Sequence, residues 1–316
     1  MEAKLKQYDG GEYLLPPLLS WEVILTGGVP CDSFSLLCPY DPSTMAPILE
    51  KVYRLTLYEQ ETVLRAVVDE YEIIQDHRGQ LLSLSGRGLM ALLLDNEAEA
   101  VEYLQPTLSA LLKYHVAPYG IKWKIDTDLY GREMYAVANG SSQWKALSDF
   151  TRYTGGYEPR ITETGYLQVM PWKDDGTRLS ISRHTPIMKL SWKERRYGVY
   201  SSVVVIDKVN KSQRNVENQA FLSRGGSCRR VLYTPGRSTG AAMRYTGEYQ
   251  IAQSKKHTRQ LCVVMPGKFW AKPGCVVRME RDDIGITGDF YVEELRASCG
   301  EQGEQTTLTM RRLEED

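Results

Sequence analysis

Apolar and polar residues alternate with a period of two in several segments near the start of the chain. Residues 52–58 alternate in this way, and apolar-rich runs of similar character occur at 21–25, 62–74 and 81–85. Such alternation is typical of strands that bury one face, and short polar or glycine-containing turns separate the runs. We therefore predict antiparallel β-structure for this N-terminal part of the chain.

The middle of the chain has a pattern that favours helices. The run at 89–94 contains no β-branched residue, which suits a helix. Pro106 is suited to the first turn of a helix over 107–114. Ser141 or Ser142 can cap a further helix, in which large apolar residues recur at helical spacing. Short hairpin-like runs follow, so this part is predicted to be a small α/β module.

The alternating pattern returns at about residue 183. Strands are predicted near the end of the chain at 260–265, 276–280, 288–295 and 305–312. A polar stretch at about 207–259 is predicted to be a long insertion. The predicted fold is β-rich α+β, with two antiparallel β-barrel-like domains, 1–95 and 183–316, that flank a small α/β module, 96–182.

Charge is distributed unevenly along a chain whose net charge is only −1. Residues 41–105 contain twelve Asp/Glu against five Lys/Arg, a net charge of −7. Residues 207–259 contain three Asp/Glu against eleven Lys/Arg, a net charge of +8. The two regions can be separate solvated faces, or, in a ring of identical subunits, the acidic face of one can meet the basic face of the next.

The sequence contains few patterns that indicate catalysis or metal binding. The six cysteines form no C-x-x-C pair, and no histidine pair has the spacing of a zinc helix. No secretory signal is evident, and no apolar run approaches the ~20 residues that span a bilayer. We therefore predict no catalytic residue, no cofactor, no metal site and no membrane anchor.

One short motif does match a catalytic pattern. Residues 236–240 read G-x-S-x-G, which in a nucleophile elbow needs a strand before it and a helix after it. Pro235 precedes the motif and no alternation of strands and helices surrounds it, so Ser238 is predicted to lie in an ordinary loop.

The basic stretch contains four candidate interface residues. Arg229, Arg230, Arg244 and Tyr245 combine charge with a stacking surface, which can serve single-stranded nucleic acid or a protein partner. No RNA-binding or oligonucleotide-binding pattern accompanies them. A protein interface is therefore the favoured interpretation.

The run at 83–96 resembles a segment of phage baseplate hub proteins. It reads SLSGRGLMALLLDN and contains Gly86, Arg87, Gly88, Asp95 and Asn96 at the matching positions. The resemblance is to the late control gene D family and the XkdQ-like hubs of contractile tails, prophages and phage-tail-like bacteriocins. Weaker matches in the same order occur at 67–71, 142–150, 159–167, 196–201, 288–292 and 307–311.

The resemblance implies a structural role in a tail particle. Hubs of this family are homotrimers that join the hexameric tail tube, or its initiator, to the trimeric central spike. The implied partners also include baseplate wedge proteins, and DNA could pass the channel without specific binding. The implied location is a virion or phage-tail-like particle assembled in the host cytoplasm, and a DNA-carrying phage and a headless bacteriocin both remain open.

The resemblance also implies roles for the motif residues and leaves alternatives. Gly86 would permit a turn out of a strand, Arg87 would pair across the module, and Asp95 with Asn96 would end a helix. The sequence has no spike-like repeat and no lysozyme-like part, so hydrolase or puncturing roles of fused relatives are not expected. The alternatives are a distal tail adaptor, the hub part of a type VI spike, a glycan or peptidoglycan hydrolase, and a glycan-binding β-domain protein.

Overall fold

The computed structural model describes residues 1–27, 31–77, 79–125, 128–131, 134–169, 178–234, 238–255 and 258–313. Its strands are β1 Glu2–Gln7, β2 Glu12–Leu14, β3 Ser20–Thr26, β4 Ser33–Pro39, β5 Val52–Glu59, β6 Glu61–Asp76, β7 Gly79–Gly88, β8 Val101–Leu104, β9 Lys122–Lys124, β10 Met134–Val137, β11 Arg160–Ile161, β12 Tyr166–Gln168, β13 Arg178–Ser182, β14 Lys189–Glu194, β15 Ser202–Asp207, β16 Ser212–Glu217, β17 Arg229–Tyr233, β18 Arg259–Pro266, β19 Val276–Arg281, β20 Ile286–Gly300 and β21 Gly303–Arg312.

Six α-helices and two short 3-10 turns accompany these strands in the described residues. The helices are α1 Pro42–Leu49, α2 Ala91–Leu94, α3 Leu108–His115, α4 Gln143–Gly155, α5 Gln219–Leu222 and α6 Gly240–Lys255, and the turns are Ala117–Tyr119 and Asp282–Ile284. Strands account for 49% of the structure and helices for 20%, which confirms the predicted β-rich α+β class.

The chain divides into two compact units. The first contains Met1–Met188 with Val264–Leu308, and the second contains Lys189–Val263 with Thr309–Asp316. Strands β18 and β21 have residues in both. The three predicted domains, 1–95, 96–182 and 183–316, stay a prediction.

The first unit is built on one long, mainly antiparallel sheet. Its strand order runs β18-β21-β20-β3-β4-β7-β6-β5-β1-β2, and β19 joins β20 and carries β13 in parallel. The predicted runs at 52–58, 62–74 and 81–85 are strands β5, β6 and β7. Strand β3 pairs with β20, so strands from the two ends of the chain lie side by side.

Helices α2, α3 and α4 of the first unit pack around a separate apolar cluster. Helix α4 starts at Ser142, whose Oγ accepts the Lys145 N–H at 3.1 Å, and α3 starts at Thr107, whose hydroxyl accepts the Ala110 N–H at 3.1 Å. Such caps satisfy backbone donors that have no partner within the helix. The buried cluster contains Leu108, Leu111, Leu112, Leu147 and Phe150.

Two differences from the sequence predictions occur in the first unit. The helix predicted at 89–94 covers only Ala91–Leu94, because the preceding residues complete β7 and the turn after it. Helix α1 was not predicted, although Asp41 caps it by accepting the Ser43 N–H at 3.0 Å and Pro42 occupies its first turn.

The second unit has a three-stranded sheet with the order β16-β15-β17. Strand β16 is antiparallel to β15, and β17 is parallel to it. Helix α6 packs on this sheet through Met243 and Ile251, which contact Val203 and Val205. The described part of the stretch at 207–259, which was predicted as a polar insertion, thus contains two strands, a short helix and a helix of 16 residues.

Candidate functional site

The side chain of Arg87 holds two carboxylates at once. Its Nε and Nη2 donate to Asp69 at 2.7 and 3.0 Å, and its Nη1 and Nη2 donate to Asp95 at 3.0 and 2.7 Å. Paired hydrogen bonds of this kind combine charge attraction with a fixed geometry. They raise the pKa of Arg87 further above its ordinary value and hold the pKa of Asp95 below its ordinary value. Arg87 thereby connects β6, β7 and the end of α2.

The two glycines beside Arg87 lie in closely packed surroundings, most tightly at Gly86. A Cβ atom on Gly86 would lie 2.0 Å from the Val67 carbonyl oxygen and 2.8 Å from a ring carbon of Phe34. A Cβ on Gly88 would lie 3.0 Å from the Cβ of Asp32. Gly86 lies within β7, so it does not form the turn out of the strand that the family resemblance implies. Glycine is needed at this position because the neighbouring strand approaches closely.

Asn96 lies at the end of α2. Its Nδ2 donates to the Leu92 carbonyl oxygen at 2.7 Å, which satisfies an acceptor that the short helix leaves open. The five motif residues are therefore assembled in one place, with Gly86, Arg87 and Gly88 on β7 and Asp95 and Asn96 directly after α2. Their contacts connect secondary-structure elements of the first unit.

A buried charged cluster lies next to this motif in the first unit. Asp32 is 6% exposed, its carbonyl oxygen accepts the Gly88 N–H at 2.7 Å, and its Oδ1 accepts the Thr26 N–H at 2.7 Å. Burial raises the pKa of Asp32 to about 7, and the charge of Glu163 acts in the same direction, while the Thr26 hydrogen bond and Arg160 oppose it.

Glu163 is the centre of the remaining contacts in this cluster. Arg160 and Lys272 donate to its carboxylate at 3.3 and 2.8 Å, and the Arg160 Nη1 also donates to the Pro273 carbonyl oxygen. Arg160 and Glu163 are both buried. Sequence reasoning missed Asp69 and this buried cluster, because only strand pairing and tertiary packing bring these distant residues together.

The four candidate interface residues lie on two elements of the second unit. Arg229 and Arg230 are exposed on β17, and Arg230 donates to the Tyr200 hydroxyl at 2.8 Å while its guanidinium lies 5.4 Å from the ring. Arg244 and Tyr245 are exposed on α6, with the guanidinium 5.1 Å from the Tyr245 ring. No hydrogen bond within the described residues links the two pairs.

The surroundings of Ser238 differ from the prediction. Strand β17 precedes the motif and helix α6 follows it, so the expected lack of that frame was wrong. Gly236 and Arg237 lie outside the described residues. The Ser238 N–H donates to Asp207 Oδ2 at 2.8 Å, and no histidine of the described ranges hydrogen-bonds to Ser238.

Asp207 organises the turn that faces Ser238. Its carboxylate also accepts the N–H groups of Val209 and Asn210 at 2.8 and 3.0 Å and the Asn210 side-chain amide at 2.8 Å. Hydrogen bonds from the Asn210 and Ser238 N–H groups lower the pKa of Asp207. Every described donor to Asp207 is an amide, so within the described residues this carboxylate fixes a turn, whereas the aspartate of a catalytic triad orients a histidine.

The described residues contain neither a metal-binding cluster nor a membrane-spanning helix. Across the described residues, no three His, Cys, Asp or Glu side chains come together in a way that could hold a metal ion. No helix in that part of the chain is long and apolar enough to cross a membrane.

Two solved structures with the same architecture are tail proteins. A tail protein from Neisseria meningitidis MC58 matches with a TM-score of 0.78 and 18% identity, over 98% of this chain and 95% of that one. The 43 kDa tail protein of prophage MuSo2 from Shewanella oneidensis matches with a TM-score of 0.78 and 15% identity, over 99% and 98%. The chain has the fold of phage tail proteins.

A secretion-system protein shares this tail-protein fold. A component of the type VI secretion system of E. coli, described as similar to the T4 phage tail proteins gp27 and gp5, matches with a TM-score of 0.58 and 10% identity, over 94% of this chain and 74% of that one. No protein-family model and no curated protein sequence matches the chain. The structural likeness confirms the resemblance to baseplate hubs at the level of the fold.

Proposed function

We propose that this chain is a structural baseplate hub of a phage-type contractile tail or of a phage-tail-like bacteriocin. The observation that carries the proposal is the likeness to two tail proteins over nearly the full length of both chains. A match of that extent covers the long sheet of the first unit as well as the second unit. The likeness to a type VI component described as similar to gp27 and gp5 favours the hub among tail proteins.

In this proposal the hub is a homotrimer that adapts one symmetry to another. A trimer whose subunits each present two β-rich surfaces offers six similar surfaces to a hexameric tail tube or its initiator, and three equivalent ones to a trimeric central spike. Wedge proteins of the baseplate would bind the periphery, and DNA could pass the channel without specific binding. The particle would assemble in the host cytoplasm.

The proposed role is structural and not enzymatic. The matched proteins are described as tail proteins, and the contacts of the motif residues around Arg87 connect elements of the fold. The carboxylate of Asp207, which accepts the Ser238 N–H, accepts its other described hydrogen bonds from amide groups as well. This arrangement argues against a hydrolase whose nucleophile is Ser238.

The test is the composition of tail particles purified from a strain that encodes the chain. We expect the chain in the particle, in three copies per tail by quantitative mass spectrometry, and tail tubes that fail to form when its gene is deleted. Absence of the chain from tails, or one or two copies per tail, would contradict the adaptor function. Cell-wall hydrolysis by the purified chain that is lost in Ser238→Ala would support the hydrolase alternative.

A further inference from the structure

Strand β17 is an open edge of the second unit. In the sheet order β16-β15-β17 it pairs with β15, and no described strand pairs with its other side. Helix α6 packs against β15 and β16. β16 and β17 are the two edge strands of this sheet, and of the two only β17 exposes large apolar side chains, Val231 and Tyr233.

The backbone hydrogen bonds show which residues of β17 face the open edge. The Thr234 N–H donates to the Ile206 carbonyl oxygen at 3.0 Å, and the Ser202 N–H donates to the Cys228 carbonyl oxygen at 3.4 Å. In a parallel pair, successive residues direct their backbone groups to alternate sides. Even-numbered residues of β17 therefore face β15, and Arg229, Val231 and Tyr233 direct their N–H and C=O groups to the open side.

The side chains of β17 are both basic and apolar. Arg229 and Arg230 are exposed, and so are Val231 at 41% and Tyr233 at 59%. Lys208 adds a further positive charge 4.4 Å from the Tyr233 ring. Charged residues alone can protect an edge from pairing, but an edge that also exposes Val and Tyr is suited to a strand partner of opposite charge.

The first unit contains an open edge of the opposite charge. Strand β5 pairs with β6 only from Glu61 to Val67, while β7 pairs with β6 as far as Asp76. Residues 69–76 of β6 thus have a strand on one side within the described residues. This segment carries Glu70 and Glu72, and it exposes Tyr71 at 46% and Ile73 at 49%.

We propose that β17 of one copy pairs with residues 70–76 of β6 in a second copy. This inference rests on the proposed homo-oligomer and names its contact surfaces. Main-chain hydrogen bonds would join the two edges. Successive side chains of a strand point to opposite faces, so Glu70 and Glu72 would lie beside Arg230 on one face of the joined sheet. Tyr71 and Ile73 would pack beside Val231 and Tyr233 on the other face, where Arg229 adds a positive charge at the end of the contact. Because the two edges are different, the contact is head-to-tail, which is the type that closes into rings.

The test measures association of the full-length chain by sedimentation velocity up to its highest soluble concentration. We expect Arg229→Glu with Arg230→Glu to weaken association at least tenfold, and Glu70→Arg with Glu72→Arg to do the same. All four substitutions together should restore most of it, because opposite charges meet again. Arg214→Glu with Arg224→Glu makes the same charge change on exposed residues outside β17 and should leave association unchanged.

A backbone variant separates strand pairing from simple charge attraction. Val231→Pro removes an N–H that faces the open edge and leaves the bonds to β15 intact, so the chain should fold with unchanged far-UV circular dichroism and lose association. A wild-type chain that stays monomeric, an unaffected Val231→Pro, or charge swaps without restoration would overturn the proposed contact. If any of those results were found while purified tails still contained three copies of the chain, the proposed contact would be wrong and the proposed hub function would be retained.

Discussion

Replacing Asp32 with asparagine is expected to make the stability of the first unit less dependent on pH. Asp32 is 6% exposed and burial raises its pKa to about 7. An asparagine carbonyl can accept the same hydrogen bond from the Thr26 N–H, which the Asp32 Oδ1 accepts at 2.7 Å. The substitution therefore removes the titration of a buried carboxyl and keeps its main described contact.

The sign of the effect follows from the raised pKa. The folded chain binds the Asp32 proton more tightly than the unfolded chain, whose carboxyl titrates near 3.8. Between about pH 4 and pH 7 the folded state holds more protons, so the free energy of unfolding decreases as the pH rises. Above about pH 7 both states are ionised, and the whole cost of the buried charge is present.

The displacement of the Asp32 pKa sets the size of the effect. The pKa moves from 3.8 to about 7. Each tenfold change in proton affinity corresponds to about 1.4 kcal/mol, which gives at most about 4 kcal/mol between the two ends of the pH range. An asparagine amide without a full set of acceptors would cost about 1–3 kcal/mol at every pH. The informative measurement is therefore how the difference in free energy of unfolding between Asp32→Asn and wild type changes with pH.

Urea unfolding followed by tryptophan fluorescence measures this difference, because Trp21 is buried on β3 of the same unit. The free energy of unfolding of Asp32→Asn relative to wild type should increase from about pH 4 to about pH 8. Glu99→Gln, which replaces an exposed carboxylate, should show a nearly constant difference. A constant difference for Asp32→Asn, or one that decreases with pH, would refute the assignment of a buried carboxyl with a raised pKa.

Three further predictions concern the motif residues and Ser238. Gly86→Ala should destabilise the chain by about 1–3 kcal/mol in urea unfolding, because the new Cβ meets the Val67 carbonyl oxygen; Gly300→Ala, with open space around it, should cost less. Arg87→Lys should lower the free energy of unfolding by about 1 kcal/mol, since one ammonium cannot make two paired contacts; equal stability would show that the two carboxylates do not need the guanidinium. Ser238→Ala should leave tail assembly and infection or killing intact, and labelling of Ser238 by a serine-hydrolase probe would contradict the structural role.

The sequence predicted those strands and helices whose formation depends on neighbouring residues in the chain, through apolar alternation or a capping side chain. The alternation at 52–58 predicted β5, which buries Leu55 and Leu57 at every second position. The apolar-rich run at 62–74 predicted β6, which buries Val63, Leu64 and Ala66 and exposes residues 69–73. The serine at 142 predicted the start of α4 because a side-chain oxygen there satisfies free N–H groups. Helix α1 carried the same kind of signal at Asp41 and Pro42 and could have been predicted.

Other features depend on contacts that the sequence does not display. Helix α6 buries only Met243, Gly247 and Ile251, a narrow stripe at intervals of four within a polar segment, so its pattern resembles that of a loop. The second carboxylate at Arg87, Asp69, is brought there by the register of β6 and β7. The buried position of Asp32 likewise depends on packing between segments far apart in the chain.

The pairing of β3 with β20 has a consequence for synthesis of the chain. Ser20–Thr26 leaves the ribosome long before Ile286–Gly300, its neighbour in the sheet, has been translated. Contacts between such distant segments slow folding, because a long loop must close before they form. Until then the backbone N–H and C=O groups along one edge of β3 lack their partner strand β20. A nascent or prematurely terminated chain therefore cannot complete the sheet. Only a copy translated beyond Gly300 can therefore cover this edge of β3.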